Sequence, residues 1–158
     1  MIRFCICFLI KGSQVLMLNR NKAPNKGLWN GVGGKLEPDE NPEQSVIREV
    51  EEESGYRISS PQYGGIVRWE VDDEEIGGMH VFIVNMTEEN TYPTPIKMDE
   101  GILDWKELTW ILDDDNQGVV SNIRHFLPDM LQGKEACNYL CIYRGGRLSQ
   151  IKEIGLIR

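Results

Sequence analysis

Apolar residues crowd the start of the chain in two runs, 2–10 and 14–20, separated by Gly12-Ser13. Runs of this length with a glycine between them predict two strands and a hairpin turn. The following stretch, Asn21 to Gly31, carries Lys22, Pro24, Asn25, Lys26 and Gly27 and reads as a polar loop. The period then changes. Val46, Ile47 and Val50 cluster on one side of a helix and define a packing face. Asn41 is a good N-cap, Pro42 suits the first helical position, and Gln44 can complete a capping box. Glu43 favours the positive end of the dipole and Gly55 suits a left-handed C-cap, so a helix is expected over 42–54.

Strands are expected near 57–71 and 78–87, connected by the acidic stretch 72–75 and Gly77-Gly78. A proline-bearing loop from Thr91 to Pro95 leads to Asp99-Glu100-Gly101, which the pattern places just before a short helix near 107–112. A longer helix near 118–132 ends at Gly133. The tail, 138–154 around Gly145-Gly146, has the pattern of a hairpin added to the edge of the same sheet. Strands and helices intermix without repeats or a linker, which predicts one α/β domain over 1–158.

Composition narrows the class. With 41% hydrophobic and 27% charged residues the chain is of ordinary globular make-up, and 158 residues suffice for a core without staples. No apolar run approaches the ~18 residues of a membrane helix. The first residues lack the leader and cleavage site of a signal peptide, so a cytoplasmic protein is expected. A net charge of −8 argues against a nucleic-acid polymer as partner, but not against a small polyanion that arrives with cations. The acidic runs 72–75 and 113–115 read as solvated loops. Cys5, Cys7, Cys137 and Cys141 lack zinc-site spacing and are expected to be buried and reduced.

The helix over 42–54 carries the chemistry. Glu49, Glu52 and Glu53 stand at i, i+3 and i+4 on one face. A like-charge pair such as Glu49 and Glu53 costs a helix about 0.2–0.5 kcal/mol, so the charge asks for a partner. Mg²⁺, which takes oxygen ligands, is the natural one. Gly31, Gly33 and Gly34 lie just upstream, where bare backbone lets a metal or substrate approach closely. Arg48, four residues before Glu52, can orient a carboxylate. Carboxylates, cation and bare backbone together fit metal-assisted chemistry on a phosphate compound.

Gly34, five residues, Glu40, seven residues, then Arg48-Glu49-Val50-Glu51-Glu52-Glu53-Ser54-Gly55-Tyr56 resembles the Nudix box. Every fixed position of residues 34–56 agrees; only Tyr56 departs, standing where an aliphatic residue is usual. The resemblance implies an α/β/α sandwich with a central mixed sheet, and Mg²⁺-dependent hydrolysis of a nucleoside diphosphate linked to another group, Mn²⁺ being a substitute. It implies Glu49, Glu52 and Glu53 as metal ligands with the Gly34 carbonyl, and Gly33, Arg48 and Gly55 as structural support. The general base is then Glu53 or, from a distant loop, Glu100, whose bland alternative is an ordinary loop carboxylate. Glu52 joins these as a catalytic candidate through the metal. Lys35 is a candidate phosphate contact, although it would be unremarkable as a surface lysine, and Arg20, at the end of the second strand, resembles a basic substrate contact of related enzymes.

The segment Gly27-Leu28-Trp29-Asn30-Gly31-Val32-Gly33-Gly34-Lys35 resembles the corresponding segment of MutT-like 8-oxo-dGTP diphosphatases. That likeness implies Asn30 on the purine edge, where an amide offers both a donor and an acceptor. Trp29 would wall the base unless it is a core residue. Asp113 and Asp114 are further candidates for the base, with helix capping as the alternative. The implied function is pyrophosphohydrolysis of an oxidised purine nucleoside triphosphate. The alternatives are hydrolysis of ADP-ribose or a nucleotide sugar, and a non-catalytic nucleotide-sensing module. A monomer and a homodimer, the latter through the C-terminal hairpin, both remain open.

Overall fold

The computed structural model describes residues 2–157. Its spine is β1 (Phe4–Lys11), whose side chains alternate so cleanly that they feed two separate cores. Ile6 and Phe8 point into one, while Cys5, Cys7 and Leu9 point into the other. β1 turns at Gly12-Ser13 into β2 (Gln14–Arg20), as the apolar runs predict. Val15 and Met17 join the first core, and Leu16 and Leu18 the second.

The remaining strands are β3 (Trp29–Asn30), β4 (Val32–Lys35), β5 (Gln62–Val71), β6 (Glu74–Asn85), β7 (Ile96–Met98), β8 (Gly101–Glu107), β9 (Cys137–Arg144) and β10 (Arg147–Leu156). They form one mixed sheet in the order β10-β9-β5-β6-β1-β2-β8-β7, with β3 on β2 and β4 on β1. Helix α1 (Pro42–Ser54) covers the second core through Val46 and Val50. Helices α2 (Leu108–Ile111) and α3 (Ile123–Leu131) cover the first through Ile111, Ile123, Phe126, Leu127 and Met130. The result is an α/β/α sandwich, and the C-terminal hairpin β9–β10 extends the same sheet. All four cysteines are reduced and buried.

The structure corrects several sequence expectations. The glycine-rich segment is itself a strand: Gly33 and Gly34 lie in β4, directly opposite Ile6 and Cys5. A Cβ on Gly33 would overlap the Cys5 carbonyl oxygen, so only bare backbone fits this pairing. The acidic connection after β5 is shorter than expected. Asp72 and Asp73, with φ of 47° and 73°, alone make the reversal, and Gly77 and Gly78 belong to β6. Gly77 is flat so that the Trp69 indole can lie over it.

β7 and β8, like β3 and β4, were not expected from the sequence. Glu100 sits in the turn between β7 and β8 rather than ahead of a helix. The alternation buried Gly101, exposed Ile102, buried Leu103 is a strand period. The long C-terminal helix begins at Ile123, because residues 118–120 hydrogen-bond to the Trp29 backbone instead of to one another.

Candidate active site

Helix α1 starts where its caps dictate. The Asn41 side chain accepts from the Gln44 N–H at 2.8 Å, and the Gln44 side chain accepts from the Asn41 N–H at 3.0 Å. Gly55, at φ 73°, ends the helix by donating to the Glu51 carbonyl. Burying Val46 and Val50 contributes about 2 kcal/mol each and fixes the helix's rotation on the sheet. That rotation carries Glu49 and Glu53 toward the glycines of β4.

The fit between α1 and β4 is close. A Cβ on Gly34 would collide with the Glu49 carboxylate. Glu53 is 9% exposed, and its carboxylate accepts from the Gly33 N–H at 3.3 Å. Burial, then the Glu49 charge, raise its pKa to about 8, with Glu100 adding to the rise and Gly33 and Arg20 opposing it. Glu49 is raised as well, chiefly by burial and against the pull of Arg48. Such a pair of inward carboxylates lacks enough positive charge of its own. A divalent cation fits that deficit, and the bare backbone at Gly34 lets the Glu49 carboxylate lie directly against β4.

Arg48 does more than orient one carboxylate. Its guanidinium donates to Glu40 at 2.6 and 2.7 Å, to Glu49 at 3.0 Å, to Glu52 at 3.1 Å and to the Lys35 carbonyl at 3.1 Å. This ties β4, the turn before α1 and the helix itself into one unit. The bidentate grip of Arg48 drives Glu40 down to about 2. Glu52 lies on the outer side of the helix, with 59% of its side chain exposed, beside a groove lined by Gln44, Ile47, Arg48 and Glu51. Among the described residues no three acidic, histidine or cysteine side chains are gathered to hold one ion, and Glu49 and Glu52 are both paired with Arg48.

The remaining candidates divide. Glu100 and Arg20 act electrostatically on Glu53 and so border the site. Glu100 is ion-paired to Lys22 at 3.1 Å. Arg20 donates to the Pro24 carbonyl at 2.8 Å and has no carboxylate partner among the described residues. Lys35 is exposed on β4. Asn30 sits on β3, its side-chain oxygen accepting from the Gly31 N–H at 2.8 Å. Trp29 is half-buried against the first core with the Lys106 ammonium 4.4 Å from its ring centre, so it serves the core on one face.

Asp113 and Asp114 cap no helix. The Asp113 carboxylate accepts from the Asp115 N–H at 2.8 Å, and both backbone carbonyls accept from Arg124. They build an exposed turn. Glu40 and Lys22 were not singled out from the sequence as site residues. Glu40 carried a signal in its fixed place ahead of Arg48, whereas the Lys22 contact spans 78 residues and left none.

A NUDIX domain matches residues 1–130 of the chain. The chain belongs to the Nudix family. An uncharacterised Nudix hydrolase of Bacillus subtilis, YvcI, is 30% identical over 129 residues, covering 81% of this chain and 78% of its own. The oxidized purine nucleoside triphosphate hydrolase of Mus musculus is 26% identical over 137 residues, 86% of this chain and 83% of that one. The crystal structure of a MutT protein from Bacillus halodurans superposes with a TM-score of 0.76 at 22% identity, covering 98% of both chains. That likeness in fold extends past residue 130 to the hairpin β9–β10. The protein is thus a Nudix hydrolase, of a family whose enzymes generally use a divalent metal. No helix among the described residues is long and apolar enough to cross a membrane.

Proposed function

We propose that this Nudix hydrolase is a pyrophosphohydrolase of nucleoside triphosphates, acting on an oxidised purine nucleotide such as 8-oxo-dGTP. The products are the nucleoside monophosphate and pyrophosphate. The observation that carries the proposal is the pair of half-buried Glu49 and buried Glu53 set against β4, one residue beyond β3 and its Asn30. The mouse relative named for oxidised purine triphosphates supports the substrate class.

Glu49, Glu52 and Glu53, with the Gly34 backbone, would hold Mg²⁺ or Mn²⁺, which supplies neutralisation of phosphate charge and polarisation of water when bound. Burial and the Glu49 charge raise the Glu53 pKa to about 8, so a cation held there would displace a proton from it. Glu100, across from it and reaching solvent, takes the proton of the attacking water. The water oxygen bonds to phosphorus at the anhydride between the first and second phosphates, the bridging P–O bond breaks, and pyrophosphate leaves. Arg20, fixed by loop carbonyls, places a constant positive charge beside the developing oxyanion. The Asn30 amide nitrogen, whose partner oxygen is committed to Gly31, remains to donate to the base.

Turnover of 8-oxo-dGTP, dGTP, ATP and ADP-ribose with Mg²⁺ tests this reading, products being separated by ion-exchange chromatography. The expected order puts 8-oxo-dGTP first by kcat/KM, with pyrophosphate released. ADP-ribose ahead of every triphosphate refutes the substrate class. Binding of these nucleotides without turnover of any of them refutes catalysis and leaves a sensing module.

A further inference from the structure

β2 ends at Arg20, and residues 21–27 form a loop closed on itself by Gly27 N–H to the Arg20 carbonyl at 2.7 Å. Arg20 sets its shape from within by donating to Pro24, and Asn19 donates to the Gly27 carbonyl at 3.0 Å. The loop is also fastened sideways to the turn between β7 and β8. The Asn21 N–H donates to the Glu100 carbonyl at 3.0 Å, and the Asn21 amide to the Asp99 carbonyl at 2.9 Å. A Cβ on Gly101 would overlap the Asn19 carbonyl oxygen, so the two backbones are in direct contact. Backbone bonds therefore hold Lys22 opposite Glu100, and the 3.1 Å ion pair between them is a consequence of the loop's architecture.

The charges around this contact are unequal in their commitments. Arg20 is held by carbonyl oxygens on its own loop. Lys22 is 60% exposed and, among the described residues, ion-pairs with Glu100 alone. An exposed pair of this kind is worth at most about 1 kcal/mol, so exchanging its partner is cheap. A triphosphate brings far more negative charge than the site's own cations balance. We infer that Lys22 is a positioning residue that changes partner: it holds Glu100 in the free enzyme and moves to the terminal phosphate of a bound triphosphate, releasing the Glu100 carboxylate beside Glu53. The inference rests on the triphosphate reading above and adds to it a discrimination between substrates. A diphosphate bridged to a sugar has no terminal phosphate for Lys22 to take. Selectivity for triphosphates is thus built into the loop rather than into the base pocket.

The test uses the full chain with Mg²⁺, comparing wild type, Lys22→Met and Lys22→Arg. Calorimetry measures binding of a non-hydrolysable imido analogue of a purine nucleoside triphosphate and, separately, of ADP-ribose. Lys22→Met is expected to weaken triphosphate binding about tenfold, to leave ADP-ribose binding within twofold, and to be restored by Lys22→Arg. Equal effects on both ligands, or none on the triphosphate, overturn the inference while the proposed function stands. No triphosphate binding by wild type overturns both. On the kinetic side, Lys22→Met is expected to raise KM for the triphosphate with kcat little changed, because Glu100 is already released once substrate is bound; a fall in kcat at unchanged KM contradicts the exchange.

Discussion

Replacing Glu53 by Gln separates the cost of the carboxylate from its use. In the metal-free protein the Glu53 pKa stands at about 8 against an ordinary 4.5, chiefly because the side chain is buried. The unfolded chain therefore ionises Glu53 first. A carboxyl raised in this way contributes nothing adverse below 4.5, and stability falls as pH rises from 4.5 through 8. The full difference corresponds to about 4–5 kcal/mol, of which about 3 kcal/mol falls between pH 5.5 and 9. Glu49 lies in the same field, so the measured quantity belongs to the pair. Urea unfolding in chelator at pH 5.5, 7 and 9 should show wild type losing stability relative to Glu53→Gln by roughly that amount. Adding Mg²⁺ at a hundredfold excess over its Kd should return about 2.7 kcal/mol to wild type at pH 9 and much less to the variant. Parallel pH curves for the two proteins in chelator would refute the buried, uncompensated carboxylate, and with it the account of the cation's attraction.

Two other perturbations report on the surroundings of that carboxylate. Arg48→Ala leaves Glu40 and Glu49 mutually repelling without their shared partner, and should cost about 2–3 kcal/mol by urea titration at pH 7. Because Arg48 depresses Glu40 to about 2, wild type should lose this stabilisation only as pH falls from 4.5 toward 2, a loss absent from Arg48→Ala. Gly34→Ala drives a methyl group into the Glu49 carboxylate, so Mg²⁺-dependent stabilisation and turnover should both fall by at least tenfold while the metal-free fold persists. Melting temperature with and without Mg²⁺ checks the second point.

The parts of the fold that the sequence disclosed are those governed by local rules. The ends of α1 follow from Asn41, Pro42, Gln44 and Gly55, each acting within a few residues of itself. β1 and β2 follow from alternation between two cores. The misread elements are those decided by distant backbone. β4 is a strand because Gly33 and Gly34 must lie flush on β1, and nothing local distinguishes that from a glycine turn. Residues 118–120 look helical until the Trp29 backbone claims their hydrogen bonds. β8 is legible in principle from the period of Gly101, Ile102 and Leu103, although the only element expected nearby was the short helix near 107–112.

The same division explains the site. Glu49 and Glu53 were readable because helix spacing alone puts them on one face, and the helix's own packing then aims that face at β4. Glu52, one residue before Glu53, is turned outward by the same rotation, so the three carboxylates are not equivalent in the metal-free chain. Arg48 stabilises that inequivalence by holding Glu49 and Glu52 while leaving Glu53 to the Gly33 N–H. In the proposed site, binding a cation would rearrange Arg48's contacts as well as displace a proton from Glu53. Glu40 keeps the guanidinium anchored during this exchange through two short bonds that do not involve the site carboxylates. A device of this sort needs residues from β4, α1 and the turn before it, which the box supplies contiguously. Lys22 and Glu100 come from loops 78 residues apart in sequence, and only the assembled sheet brings them together.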